Sequence, residues 1–240
     1  MNDAVIIDAV RTPTGKGKPG GQLAGLHPVD LHAYAIRSLL ERTGIDPAMV
    51  SDVVSGAVSQ VGEQSGNTAR WAALAAGLPE SVPAVTVDRQ CGSSQQAIHF
   101  AAQGVISGAY DVVIASGVES MSRVPMFSNT AGADPWGPGV AARYPGGLVP
   151  QGISAELVAA KWGLSRSQLD EFAVASHHRA AGAWRDGRFG AEVAPVRTRT
   201  PDGVLVEALS DETVRPSSSP EALAALKPAF RDEAWERQFP

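Results

Sequence analysis

The stretch that decides the fold covers residues 82–97 and reads VPAVTV followed by DRQCGSSQQA. Its first six residues are mostly apolar and β-branched, which predicts a strand, and the small polar residues after them predict the first turn of a helix. A strand-to-helix turn presents its side chains at the carboxyl edge of a sheet, where open α/β folds place their ligands. Cys91, the single cysteine of the chain, lies in this turn.

Cys91 is therefore a candidate nucleophile, because the positive end of a helix dipole favours a thiolate. The alternative is a small buried hydrophobe, which is the usual state of a lone cysteine. Against that alternative, the neighbouring residues Gln90, Gly92 and Ser93 are polar or small and do not suit a core position.

Cysteine chemistry at this turn needs a base. A helix terminus is worth only about 0.3–1 kcal/mol, so an ordinary thiol there stays mostly protonated at neutral pH. His99 follows Cys91 on the same helix at a distance of roughly 12 Å, which is out of reach at a rise of about 1.5 Å per residue. The other histidines are interpreted as solvated or capping residues: His27, His32, His177 and His178.

Short apolar runs alternate with helical patterns on both sides of this stretch. Residues 4–10, 53–58 and 112–116 are apolar runs of strand length, which suit strands covered on both faces. Helical periodicity covers Pro28–Thr43 and residues 67–76. This alternation predicts an α/β layered domain.

The pattern changes after residue 118. Residues 131–150 are rich in glycine and proline and predict no regular element. Helices are predicted over 154–162 and from Ser165 to near Gly187, where Ser165 and Gln168 form a capping-box pattern. A strand pair at 193–197 and 204–206 and a short helix at 221–226 complete the prediction.

Composition excludes several classes of protein. The 240 residues carry 20 Lys and Arg against 25 Asp and Glu, a formal net charge of −5, so nucleic acid is a poor partner. With 44% hydrophobic and 19% charged residues the chain is globular. One cysteine excludes a disulfide framework and a multi-cysteine site, and no metal is implied. No apolar run is long enough to cross a bilayer and no signal peptide is evident, so we expect a cytoplasmic protein without a membrane span.

Six short motifs follow one another along the chain. They are RTPTG at 11–15, GEQ with an Asn and an Arg at 62–70, CGS at 91–93, SGVESMS at 116–122, GISAE at 152–156 and LKPAF at 226–230. In this order they resemble the N-terminal and loop domains of the thiolase family, the acetyl-CoA acetyltransferases and 3-ketoacyl-CoA thiolases. Four residues depart from that family's usual pattern and leave the acyl-chain preference open: Gln151, Ser154, Ser94 and Ala222.

The resemblance implies an acyl-CoA C-acyltransferase in which Cys91 accepts an acetyl or acyl group from a CoA thioester. It also implies that the backbone N–H of Cys91 helps to bind a developing oxyanion. The CoA arm would lie in the loop domain, where Arg215 and Leu223 match a region near the adenine end. Gly152 and Ser154 belong to a matching substrate element. CoA thioesters are substrates, and no cofactor is expected.

The same resemblance implies a mixed five-stranded sheet with helices on both faces in residues 1–118, and a mostly helical loop domain in residues 119–240. The family's second half contains an N-E-A-F asparagine, a G-H-P histidine and a C-x-G cysteine, and none of these motifs occurs here. The C-terminal catalytic half is therefore expected to be absent, in agreement with the missing base.

Three functional interpretations follow. The first is a thiolase of lipid metabolism or fatty acid β-oxidation, completed as a homo-oligomer (dimer or tetramer) or by a partner that supplies the C-terminal half. The second is a non-catalytic protein or partner subunit that binds acyl-CoA or lipid. The third, an unrelated cysteine hydrolase, needs a histidine beside Cys91. Biosynthetic and degradative directions both remain open.

Overall fold

The computed structural model describes residues 3–200 and 202–239. The chain divides into two compact units. We call Met1–Gly132 with Phe189–Thr213 the sheet unit, and Ala133–Arg188 with Val214–Pro240 the helical unit. The α/β class is confirmed, whereas the functional division of the chain at residue 118 stays a prediction.

Three parallel strands form the main sheet of the sheet unit. They are β1 (Asp52–Gly56), β2 (Ala84–Val87) and β3 (Val113–Gly117), in the order β2-β1-β3. Helix α2 (Thr68–Ala75) connects β1 to β2, and helix α3 (Ser93–Ser107) connects β2 to β3. Parallel neighbours require such crossovers, so the sequence alternation produces this topology directly.

Helix α1 (Pro28–Thr43) has the predicted bounds, and its two ends explain them. Proline occupies the start, where its missing N–H costs nothing, and Gly44 ends the helix with a φ of 66°. The inner faces of α1 and α2 pack on the sheet. Their core cluster comprises Ala33, Ile36, Val50, Val53, Ala72, Ala73, Leu78, Val82 and Ile114.

The predicted mixed five-stranded sheet is not confirmed, because residues 4–10 belong to no strand in the described part of the chain. Val5, Ile6 and Ile7 are 78%, 79% and 66% exposed. An apolar run forms a strand only against a hydrogen-bonding partner, and no described strand pairs with this segment.

The predicted strand pair forms a separate antiparallel ladder of β4 (Val196–Arg199) and β5 (Leu205–Ala208). The ladder belongs to the sheet unit, where Val196 and Ala208 pack with residues that precede or begin α1. Those residues are Leu23, Leu26 and Leu31.

The helical unit contains five helices among its described residues: α4 (Gly137–Arg143), α5 (Gln151–Trp162), α6 (Arg166–Arg185), α7 (Pro220–Ala224) and α8 (Glu233–Gln238). The capping box of Ser165 and Gln168 is present at the start of α6, as predicted. Helices α4 and α8 lie in stretches for which the sequence predicted no element. The mostly helical character of this region is confirmed.

Candidate active site

Cys91 lies in the turn between β2 and α3, and its side chain is exposed. Gln90, just before it, has a φ of 47°, in the left-handed region. Such backbone costs a non-glycine residue of order 1 kcal/mol and occurs at functional sites. The N–H of Gln90 donates to Asp88 Oδ1 at 2.7 Å, which helps to hold the bend.

Ser93 fixes the turn from inside, a role that its place in the CGS motif does not reveal. Its side chain is buried. Its Oγ accepts the N–H of Arg89 at 2.9 Å and donates to the carbonyl of Gln90 at 2.6 Å. Helix α3 begins at Ser93, two residues after Cys91, where the sequence pattern predicted its start. Cys91 therefore precedes the first turn of a fifteen-residue helix, at the positive end of its dipole.

Two glycines allow α3 to begin directly against the strand ends. A Cβ at Gly56 would lie 2.3 Å from the carbonyl carbon of Ser93, and a Cβ at Gly117 would lie 1.9 Å from Ser94 Oγ. Gly56 and Gly117 are register partners on β1 and β3. The first turn of α3 thus packs on adjacent strand ends at the carboxyl edge of the sheet.

Glu119 joins the loops that follow β1 and β3. Its carboxylate accepts the N–H of Val58 at 2.8 Å and the side-chain amide of Gln64 at 3.0 Å. Gln64 is fully buried, and its Oε1 accepts the N–H of Ser120 at 2.7 Å. Charge-assisted hydrogen bonds of this kind are the strong ones, so they hold two loops at the same sheet edge in one conformation.

His32 is buried between α1 and the sheet, with 1% of its surface exposed. Its Nε2 lies 2.9 Å from Ser116 Oγ and 3.3 Å from Ser55 Oγ, and the two hydroxyls are also hydrogen-bonded to each other. Its Nδ1 is buried without a hydrogen-bond partner among the described residues. Burial lowers the pKa of His32 to about 4, so the ring is neutral near pH 7.

Within the described residues, no histidine is hydrogen-bonded to Cys91. His27 accepts the N–H of Val29 at 3.3 Å at the start of α1, and His32 is bonded to serines. His99 is exposed about two turns along α3. The sequence-based inference that this chain holds no base for Cys91 stays a prediction.

Arg215 and Leu223 lie in one segment of the helical unit, packed against α6. The N–H of Arg215 donates to Nδ1 of His177 at 3.2 Å. The carbonyl of Leu223 accepts from the guanidinium of Arg166 at 2.5 Å. Sequence reasoning interpreted His177 as solvated or capping and did not consider Arg166, because nothing in a helical pattern indicates which distant backbone a side chain will meet.

Gly152 and Ser154 lie in the first turn of α5. A Cβ at Gly152 would lie within 2.4 Å of the Phe230 ring, so this glycine permits close packing. The N–H of Ser154 donates to the carbonyl of Pro150 at 2.8 Å. The roles of these two residues, and of Arg215 and Leu223, in binding CoA stay predictions.

The described residues contain no cluster of three or more His, Cys, Asp or Glu side chains arranged to hold a metal ion. None of the helices in residues 3–200 and 202–239 combines the length and apolarity needed to cross a membrane.

Comparison with known proteins gives one consistent class. Residues 4–234 match the family model described as thiolase, N-terminal domain. The steroid 3-ketoacyl-CoA thiolase FadA6 of Mycobacterium tuberculosis is 48% identical over 236 residues, which cover 95% of this chain and 56% of that protein. The 3-ketoacyl-CoA thiolases of Pseudoalteromonas translucida and Erwinia tasmaniensis are each 44% identical over 231 residues, covering 96% of this chain and 58% of theirs.

These matches extend over nearly the whole chain and include the Cys91 turn. The chain belongs to the thiolase family. It spans 56–58% of the length of these curated relatives.

Proposed function

We propose that this chain is the nucleophile-bearing, acyl-CoA-binding part of a thiolase-type acyl-CoA C-acyltransferase. The observation that carries the proposal is the exposed Cys91 before the first turn of α3, at the carboxyl edge of a parallel sheet, in a chain of this family. The proposed substrate class is 3-ketoacyl-CoA thioesters, the class after which these relatives are named.

The chemistry runs through a thioester on Cys91. The thiolate attacks the 3-keto carbon, the bond between C2 and C3 breaks, and the released electron pair takes a proton to give acetyl-CoA. The remaining acyl group stays on the sulfur. The thiol of a free CoA then loses its proton to a base and attacks this thioester, which releases the shortened acyl-CoA and returns the proton to the Cys91 sulfur.

Two groups of the reaction come from outside the described residues: the base that takes a proton from a thiol, and the acid that protonates the released carbon. The dipole of α3 contributes about 0.3–1 kcal/mol toward the thiolate, which is too little without a base. We propose that a C-terminal half, in the same protein or in a partner, supplies it. Within this chain, the backbone N–H of Cys91 is the proposed donor to an oxyanion, because the N–H groups of Gly92 and Ser93 donate to the carbonyls of Arg89 and Gln90.

The CoA moiety is proposed to bind the helical unit. Arg215 is an exposed cation, and a guanidinium binds phosphate oxygens well. Leu223, Gly152 and Ser154 complete the proposed set of contacts. Free CoA serves as the thiol that accepts the acyl group, and no metal or further cofactor takes part. The single thiol is consistent with a reducing compartment such as the cytoplasm.

The second candidate is a non-catalytic acyl-CoA-binding or lipid-binding subunit. The observation that favours it is that no histidine in the described part of the chain is bonded to Cys91. In this case CoA binds the helical unit, and no acyl group is transferred to the sulfur.

Intact mass of this chain after exposure to acetoacetyl-CoA, measured with the C-terminal half that supplies the base present, separates the two candidates. Under these conditions we expect the wild type to gain one acetyl group and the Cys91→Ala variant to gain none. An equal gain by both would contradict the role of Cys91. A folded wild-type chain that binds CoA in calorimetry but gains no acetyl group even with that half present would favour the non-catalytic candidate.

Exposed apolar surface predicts association of the chain with a further protein surface. Val5, Ile6 and Ile7 are exposed in one segment, and Ile98 and Phe100 are 46% and 42% exposed on α3. Exposed patches of this kind usually mark interfaces. Sedimentation velocity of the chain alone is expected to give a dimer, a tetramer or larger species, which Ile6→Asp weakens. A monodisperse wild-type monomer would contradict this expectation.

A further inference from the structure

Side chains on α6 hold the backbone of the segment 215–226, which contains both predicted CoA-contacting residues of that region. His177 Nδ1 accepts the N–H of Arg215 at 3.2 Å. His178 Nε2 lies 3.0 Å from the carbonyl of Ser218. The guanidinium of Arg166 donates to the carbonyl of Leu223 at 2.5 Å. The segment is thus fixed at three points along α6.

Arg166 is itself held in position. Its Nε lies 2.9 Å from both carboxylate oxygens of Asp170, one turn further along α6. An ion pair of this spacing lies on one face of a helix. The Leu223 end of the segment is therefore anchored by a side chain that is itself held by an ion pair.

The contact at Arg215 has a specific chemical requirement. To accept an N–H, the Nδ1 of His177 must carry a lone pair, which places the proton of the neutral ring on Nε2. His177 is half-buried, whereas Arg215 is exposed, and the guanidinium of Arg215 makes no ion pair with any described residue. The backbone of Arg215 is therefore fixed, while its guanidinium has no ion-pair partner among the described residues.

We propose that His177 is a positioning residue that orients Arg215 toward a phosphate group of CoA. The inference rests on the proposed binding of CoA by the helical unit. A fixed backbone lowers the entropy lost when a flexible arginine is ordered on a ligand. Because His177 acts through Arg215, it strengthens CoA binding only when the Arg215 guanidinium is present.

A double-mutant cycle on the 240-residue chain tests this dependence, with the dissociation constant of CoA measured by calorimetry. We expect His177→Ala and Arg215→Gln each to weaken binding about tenfold, the usual scale for one hydrogen bond or one exposed charge contact in a site. We expect the double variant to bind no more weakly than Arg215→Gln alone, because the two residues act as one unit.

Two further variants separate positioning from folding. His177→Asn keeps an acceptor near the place of Nδ1 and is expected to restore most of the affinity. Ser176→Ala, at an exposed neighbouring position of α6, is the matched control and should bind as the wild type does. Far-ultraviolet circular dichroism of every variant reports whether the helices are retained.

The outcomes are distinct. If the wild type binds CoA and His177→Ala binds equally well, or if the two losses simply add in the double variant, the inference is wrong while the proposed function stands. If the folded wild type does not bind CoA, the CoA-binding role of the helical unit and this inference both fail.

Discussion

Gly56→Ala is expected to lower the free energy of unfolding of the sheet unit by about 3 kcal/mol, at the upper end of the cost of overpacking. The added Cβ would lie 2.3 Å from two backbone atoms, the carbonyl carbon of Ser93 and the nitrogen of Ser94. Neither neighbour can rotate away as a side chain would. Gly56 itself is held in the central strand, in register with Val87 and Gly117 on its two sides.

Relief of this clash requires α3 to move away from the sheet, which also displaces the turn that carries Cys91. For a chain of this size the stability loss corresponds to a fall in melting temperature of roughly 10 °C. Thermal unfolding followed by circular dichroism measures it. Alkylation of Cys91 by iodoacetamide at a temperature where both proteins are folded is expected to proceed at a changed rate.

Gly92→Ala is the matched control, because it adds the same methyl group to the same strand-to-helix connection. Its Cβ would lie 3.4 Å from the carbonyl oxygen of Arg89, which is an ordinary contact. Loss of glycine at this helix-capping position should cost less than about 1 kcal/mol. A Gly56→Ala variant as stable as Gly92→Ala would show that the approach of α3 to β1 is looser than the structure has it.

The elements that could be predicted are those whose signals are local. The bounds of α1 follow from Pro28 and Gly44, and the three parallel strands follow from short apolar runs separated by helices. The exposed Cys91 follows from the small polar residues around it. Each of these signals acts within a few residues, so the sequence pattern and the final structure agree.

Partner-dependent features could not be predicted in the same way. Residues 4–10 have the composition of a strand, but composition does not supply a partner, and Val5–Ile7 are exposed. Gly56 and Gly117 are ordinary glycines in the sequence, and only the packing of α3 makes their missing side chains necessary. His32 and His177 were interpreted as solvated or capping residues, because their serine and backbone partners are distant in sequence.

His32 is the buried group with the largest consequence for pH dependence. We expect its burial to remove about 3 kcal/mol from the free energy of unfolding as the pH falls from 6.5 to 4. The folded ring has a pKa of about 4, below the ordinary histidine value of 6.5, because burial disfavours the charged form. Between these two values the unfolded chain binds a proton that the folded chain does not. The stability associated with the neutral, buried ring of His32 is therefore fully present above pH 6.5. It is lost as the pH falls toward 4.

Protonation would also place a second N–H on a ring whose Nδ1 has no hydrogen-bond partner among the described residues. The Ser55 and Ser116 hydroxyls contact only the other nitrogen, so the added charge stays unpaired inside the sheet unit. The unpaired charge raises the free energy of the folded state alone, because water solvates the imidazolium of the unfolded chain.

Urea denaturation at a series of pH values between 4 and 7 measures this dependence. The free energy of unfolding of His32→Asn should be lower than that of the wild type near pH 7. Because Asn cannot take up the proton, this free energy should fall less steeply toward pH 4. His99→Asn makes the same replacement at an exposed position of α3 and should keep the wild-type slope. Because the acidic groups titrate equally in all three proteins, the difference in slope isolates His32. Equal slopes for the wild type and His32→Asn would mean that the buried ring is reached by water and protonates in the folded chain.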